Sequence, residues 1–381
     1  MTASASPDRF DPAGHSRLMK AVVTTGNGGY DRLVYRDVPV PVPGPGDVLI
    51  RVAAAGINNT EINTRLGWYS DSVTLDTASI ANAQEQTPKQ KADGGWDKPT
   101  PFPLIQGTDC CGHVVEAGGE AGRPLLGTRV LIRPCMRTHG FSSLENIWMA
   151  SDLDGAFAEY VKVPAAEAFP VTCNWSDTEL ATIPCAYGSA QNMLHRAGLR
   201  SGETVLITGA SGGVGSATVQ LARCRGARII GITSGNKFDA VRALGCDLVL
   251  SREDDLLTVL GENSIDVAVD NVAGPGFTSI PKLLKRGGRY VSSGAIGGPI
   301  VQFDLRDVYL KDINIIGCTA WDEAVFPDLI SLIERGLIRP LVAGVFPLER
   351  IADAQRLFMS KTHVGKLVLV PPGSPGHWIN V

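Results

Sequence analysis

The sequence predicts an α/β protein built as two bodies, one mostly antiparallel β and one a doubly wound parallel sheet. Three observations carry that prediction. At 381 residues the chain exceeds the usual size of one domain, so two are expected. From Met19 to about Val163 it runs in short β-rich stretches broken by Gly and Pro, the pattern of an irregular antiparallel body. From about Pro170 to Thr319 near-continuous apolar runs alternate with helical stretches, as parallel strands with helical crossovers do.

In chain order, residues 1–17 are small, polar and Pro/Gly-containing and lack the charged flank and apolar core of a secretory signal. They are expected to form a disordered tail. Strands are predicted at 20–24, 47–53, 112–116 and 127–132. Pro39, Pro41, Pro43, Gly44, Pro45 and Gly46 make a stiff turn that delivers the chain into the second of these. Residues 70–100 carry no helical or strand periodicity and are expected to be a loop-like insertion. It is either a surface excursion or a lid that narrows the site. In the second body, strands are predicted at 204–208, 228–232, 248–250, 266–270, 289–293 and 314–318. Helices at about 326–335 and 351–360 and a final strand at 366–370 close the chain.

Composition limits the function classes. The 44% hydrophobic content supplies full cores, so disorder is confined to the ends. A net charge of −4 offers no basic field for nucleic acid or an anionic membrane. No run approaches the roughly 18 apolar residues of a spanning helix. Eight cysteines include no pair at two-residue separation, which signals neither a zinc ribbon nor a redox pair and fits a reduced cytoplasm.

One motif carries chemistry. The strand predicted at 204–208 runs into Gly209, Ala210, Ser211, Gly212, Gly213, Val214 and Gly215 and then into an apolar helix. At such a turn small residues admit a pyrophosphate, and the first helical N–H groups receive it. Ala210 replaces the first glycine of the usual fingerprint, which leaves Gly212 and Gly215 to provide the close approach. An acid at the end of the next strand would bond the ribose hydroxyls of NAD. This chain instead reads Thr233, Ser234, Gly235, Asn236, Lys237, with no acid until Asp239. Ser234 and Lys237 could bind a 2′-phosphate, so NADPH is the expected cofactor. An ordinary solvated lysine is the alternative for Lys237.

With those residues in view, the chain resembles the medium-chain dehydrogenase/reductase superfamily, and within it the quinone oxidoreductase, or zeta-crystallin-like, branch. The likeness spans Met19 to Val370. It rests on Gly56, Ile57 and Asn58, on segments 107–112, 155–160 and 210–215, on Asp270 to Gly274, and on Gly365 and Lys366 near the end. It implies a GroES-like catalytic domain at 18–169, a Rossmann domain at 170–320, and a return to the catalytic domain at 321–381. It also implies contacts to the nicotinamide side from Ser189, Asn271, Val272, Gly294, Ala295 and Thr319, and to the phosphate-bearing end of the cleft from Lys366.

In the zinc enzymes of this superfamily a cysteine follows the first glycine segment and a histidine precedes an acid. Here Asn58 and Thr108 stand at those places, and only Cys185 matches a ligand, so no metal is expected. The pair Cys135 and His139 lacks partners for a second site. Without a Lewis acid, hydride delivery to a quinone, an enone or a related activated carbonyl is easier than alcohol oxidation. The resemblance makes Asn58 and Tyr69 the donors to the developing oxyanion, with turn-stabilising and packing roles as the plainer alternatives. Glu61 stands where an aspartate is usual. The leading expectation is an NADPH-dependent reductase and, by resemblance, a homodimer paired through sheet edges near 289–298 or 314–318. An alcohol or aldehyde dehydrogenase of the same fold and a non-catalytic NADPH-binding protein are the alternatives.

Overall fold

Near-continuous apolar runs with Val, Ile and Leu favour strands buried on both faces, and the computed structural model, which describes residues 9–11, 14, 17–86 and 98–374, forms such a sheet. Six parallel strands lie in the order Leu248–Ser251, Arg228–Thr233, Thr204–Ile207, Ile265–Val269, Leu284–Ser292 and Asn314–Gly317. All six stand where the sequence predicts them, with ends shifted by a few residues. The largest shift is at Leu284, where pairing with Ile265 starts ahead of a register irregularity. Strand order reverses between Thr204–Ile207 and Ile265–Val269. The crevice beyond the carboxyl ends of those two strands is where such a sheet receives a ligand.

The other body is a seven-stranded sheet in which Asp47–Gly56 pairs with Cys111–Ala117 and with Tyr160–Pro164, both antiparallel. The chain's last strand, Lys366–Val370, also joins it. Leu369 pairs with Ala55 and Val368 with Gly56, so residues from both ends of the sequence meet at the edge of the crevice. The helix Pro184–Arg196 is buried over most of its length, and it packs on Gly213–Cys224, the helix after the glycine turn.

Two expectations are corrected. Part of the 70–100 segment is helical, Thr77–Gln86. The Asp76 carboxylate accepts from the Ser79 N–H at 2.9 Å, satisfying an N-terminal donor, and Ile80 is buried. The start of the chain is not wholly a free tail. Phe10 is 6% exposed, and Arg9 donates to Asp154 at 2.8 Å and to the Pro103 carbonyl, so apolar burial and an ion pair dock this part of the chain.

Losing the cap should show locally. Asp76→Ala should cost the helix about 1 kcal/mol, read as a roughly fivefold loss of amide-exchange protection around residues 79–83. Unchanged protection there would mean that Ile80 packing alone holds the helix.

Candidate active site

The crevice contains three hollows. A cavity of about 380 Å³ runs from the glycine turn (Ser211, Gly212, Gly213) to Ser234, Lys237 and Arg252. A smaller one, about 100 Å³, lies between Gly212 to Gly215 and Asn271 and Val272. The widest, about 930 Å³, is lined by Thr60, Tyr69, Trp148, Cys185, Ser189 and Thr319 among others. The arrangement suits a long ligand with a phosphate-bearing half along the turn and a reacting half in the wide end.

The turn itself fits a dinucleotide. A methyl group on Gly215 would stand 2.1 Å from the Gly209 carbonyl oxygen, so only glycine lets the helix start this close to the strand. Gly213 opens the helix, whose first N–H groups face the crevice. Ala210, expected to contact the cofactor, is fully buried and donates its N–H to the Ile232 carbonyl at 2.9 Å. It is packing beneath the turn. Ser211 accepts from the Thr233 hydroxyl at 2.9 Å, joining the turn to the end of the second strand. Asn271 is held by the N–H of Ser293 at 2.8 Å. Gly294 and Ala295 lie between Ser293, on the wide cavity, and Ile296, on the narrower ones.

At the second strand's end the cations are arranged differently from the expectation. The Lys237 ammonium donates to the carbonyls of Lys361 and His363 at 2.5 and 2.8 Å, so its hydrogen bonds go to the backbone of the turn after the last helix. Burial lowers its pKa. Arg252 and Lys361, which the sequence reading did not single out, line the same cavity. The signal for Arg252 was its place just after the third strand, where its N–H donates to the Thr233 carbonyl at 3.1 Å.

The largest departure concerns Asn58 and Lys366. Lys366, 3% exposed, donates to Asp109 at 2.8 Å and to the side-chain oxygen of Asn58. The Asn58 amide in turn donates to Asp109 at 2.9 Å. The Asn58 amide is therefore engaged at both ends inside the fold, with one of its two N–H groups on Asp109. Lys366 does not offer its ammonium to a phosphate; its stem lies against Gly213, where a methyl group would meet Cδ at 2.7 Å. The second Asp109 oxygen accepts from the Cys185 N–H at 2.6 Å. Glu61, fully buried, accepts from the N–H groups of Asn58 and Thr108 at 2.8 Å each and from the Thr108 hydroxyl. Burial raises its pKa against those donors.

Among the described residues no group of three or more His, Cys, Asp or Glu could hold a metal ion. Cys185 borders the wide cavity, and burial raises its thiol pKa, leaving a neutral thiol. Cys135 bonds the Thr319 carbonyl and the Trp321 N–H, while His139 pairs with Glu145 at 2.7 Å, so these two face different partners. Tyr69 opens onto the wide cavity. Burial raises its phenol pKa, with hydrogen bonds from Asn63 and Thr60 opposing, and the group stays a neutral donor throughout the working range.

The Lys366–Asp109 pair should govern stability. Lys366→Met should lose about 3–5 kcal/mol by stranding a buried carboxylate, and adding Asp109→Asn should recover part of that, measured by urea unfolding. A single variant as stable as the parent would show that water already reaches Asp109.

Comparisons with known proteins agree with this architecture. Residues 44–173 match the alcohol dehydrogenase GroES-like domain, and residues 213–335 match the zinc-binding dehydrogenase family. The chain is 32% identical to an acryloyl-coenzyme A reductase of Metallosphaera sedula, over 92% of this chain and 99% of that protein. It is 27% identical to the quinone oxidoreductase of Homo sapiens, over 93% and 98%. A solved Sinorhizobium meliloti 1021 structure, provisionally described as an alcohol dehydrogenase, superposes with a TM-score of 0.83 at 42% identity, over 94% of this chain and 98% of that one. With two such bodies, a glycine turn at the switch point and these likenesses along nearly its whole length, the chain belongs to the medium-chain dehydrogenase/reductase superfamily of nicotinamide-dependent oxidoreductases.

Proposed function

We propose that the protein is an NADPH-dependent reductase acting on an α,β-unsaturated carbonyl compound or a quinone, without a catalytic metal. The observation that carries this reading is the buried Lys366 ammonium, bonded to Asp109 and Asn58. It lies among the positions from which zinc relatives hold their metal. Asn58 and Thr108 supply no thiolate or imidazole, and a second cation there would meet the ammonium at short range.

When bound, the cofactor supplies a hydride. The protein's part is to hold an acceptor in the wide cavity and stabilise the oxyanion that forms as its β-carbon, or a quinone carbon, is reduced. Tyr69 can donate to that oxygen and then give a proton, with solvent restoring it, so one acceptor takes up one hydride and one proton. A saturated alcohol would need its hydroxyl proton removed first, and the neutral donors at this cavity offer no help with that. The phosphorylated cofactor is supported by the cations Arg252 and Lys361 on the cavity that also holds Ser234 and by the lack of an acid at the end of the second strand. The names of the relatives, an acryloyl-coenzyme A reductase and quinone oxidoreductases, are in keeping with an electron-poor acceptor.

The test is NADPH and NADH consumption against 3-buten-2-one, 1,4-benzoquinone, aldehydes and, in reverse, alcohols, with Tyr69→Phe alongside. NADPH with the enone or the quinone should be preferred, and Tyr69→Phe should lower kcat by about 100-fold. Faster alcohol oxidation with NAD would replace this reading by that of an alcohol dehydrogenase. Tight NADPH binding without turnover of any acceptor would favour a non-catalytic role.

We further propose a homodimer paired along the edge strand Asn314–Gly317, where Ile315 is 52% exposed beside the exposed Leu305, Tyr309 and Leu310. An open edge with this much apolar surface invites strand pairing. Ile315→Lys should turn a dimer into a monomer in sedimentation; a monomeric parent protein would remove the proposal.

A further inference from the structure

The wide cavity, about 930 Å³, exceeds what a four-carbon enone fills. One wall is the helix Pro184–Arg196, which contributes Cys185, Ser189 and Arg196. Steps of four and then seven residues return to the same face of an α-helix, so the three stand in one line along the cavity. The eleven residues from the first to the last rise about 16 Å. The Cys185 end is anchored inside the fold, its N–H donating to Asp109 at 2.6 Å. A second wall comes from residues 138–148, among them Leu144, Glu145 and Asn146. The described residues of the 70–100 segment beyond Tyr69 line none of the three hollows, so that segment does not form the lid expected from its length.

Arg196 is held in place with its charge uncompensated. It is half-buried, and its Nη1 donates to the Gly317 carbonyl at 2.5 Å, which fixes the guanidinium at the end of the edge strand. A carbonyl accepts a hydrogen bond but brings no charge. The acids around it are turned elsewhere. Glu145 faces His139 at 2.7 Å, both largely exposed, and Asp322, two residues after the lining Ala320, faces His195 at 3.6 Å. A cation on a cavity wall concentrates anions there. The planar guanidinium has five donors and matches a carboxylate through two parallel hydrogen bonds. One cation, with Glu145 on the same cavity, suits a single negative charge, whereas a polyphosphate would call for several cations.

We infer that Arg196 is a specificity-determining residue that binds a carboxylate at the far end of the acceptor. The substrate class is then an electron-poor enone that carries an acid group away from its reacting carbon. Ser189, which the family likeness puts on the nicotinamide side, is seven residues from Arg196, about 10 Å of helix rise. That rise sets the separation between the acid and the carbon that receives hydride. The inference rests on the reading of the protein as a reductase of activated carbonyl compounds.

The experiment measures kcat and KM with NADPH for 8-oxo-9-decenoate and for its methyl ester, which share one reacting group and differ in charge at the far end. The parent protein should prefer the acid by about tenfold in kcat/KM, through KM more than kcat. Raising NaCl from about 0.05 to about 0.5 M should cut that preference severalfold. Arg196→Gln should bring the ratio of acid to ester close to one, and Arg196→Lys should keep part of it, because the charge stays and the fork is lost. NADPH affinity by nicotinamide fluorescence reports whether each variant keeps a folded crevice. A phosphate arm compares acryloyl-coenzyme A with S-acryloyl-N-acetylcysteamine; a preference there that Arg196→Gln abolishes, with none in the carboxylate pair, would overturn the assignment to a carboxylate. If the parent reduces the ester as well as the acid, or takes 3-buten-2-one and neither of the pair, or if the preference survives in Arg196→Gln, the inference falls and the proposed function stands. If the parent reduces no enone, quinone or thioester, both fall.

Discussion

The site is organised by one buried ion pair, Lys366 with Asp109. A lysine and an aspartate removed from water stay charged only if each is paired and its remaining hydrogen-bonding capacity is used. That requirement draws in Asn58, which accepts from the ammonium and donates to the carboxylate, and the Cys185 N–H, which takes the other oxygen. Four chain segments are thereby fixed at one point: the start of the helix Asn59–Leu66, the loop after residue 107, the entry to Pro184–Arg196 and the last strand. Because the Lys366 stem also lies against Gly213 and the Gly365 N–H donates to Ser211 at 3.2 Å, the same point sets where the glycine turn stands relative to the catalytic body.

Gly56 shows how little freedom this leaves. A methyl group there would sit 2.4 Å from an Asp109 oxygen and 2.7 Å from the Ala181 carbonyl. The carboxylate is pressed against backbone with no room for a side chain. Glu61 repeats the pattern one turn into the helix, its carboxylate taken up by Asn58 and Thr108. Charged groups that look available in the sequence are therefore spent inside the fold. The wide cavity is faced by a phenol, hydroxyls and a thiol, with Glu145 and Arg196 also on its wall.

The fold was largely legible because its signals are local. Six apolar runs spaced by helical stretches can hardly be read except as a parallel sheet, and the strand, glycine turn and helix at 204–224 carry their own geometry. The helix Thr77–Gln86 was missed because its cap, Asp76, precedes a polar, Ala-rich stretch whose buried apolar anchor is Ile80, too little for a periodic pattern. The site was legible in residue type and less so in allegiance. Nothing within the sequence says that Lys366 and Asn58, 308 residues apart, satisfy each other, or that the Lys237 ammonium is taken by carbonyls more than 120 residues away. Such pairings arise from tertiary closure, and a reading of spacing alone assigns those cations to the ligand.

On the proposed metal-free reading, the same closure would explain how one architecture can serve with or without a metal. A divalent ion held by thiolate and imidazole both neutralises nearby carboxylates and polarises a substrate oxygen. The Lys366 ammonium performs the first task, since it balances Asp109. The second task suits it less, because two of its three N–H groups are committed to Asp109 and Asn58 and it is buried. Stabilising a substrate oxygen then falls to a group at the cavity surface that can donate without carrying charge. Tyr69, which lines the cavity, meets that description. A site so arranged can lower the energy of an oxyanion created by hydride arrival. Its neutral donors have little means of creating one beforehand by taking a proton from an alcohol. On the proposed function, direction and acceptor class would follow from where the positive charge is buried and from what it is bonded to.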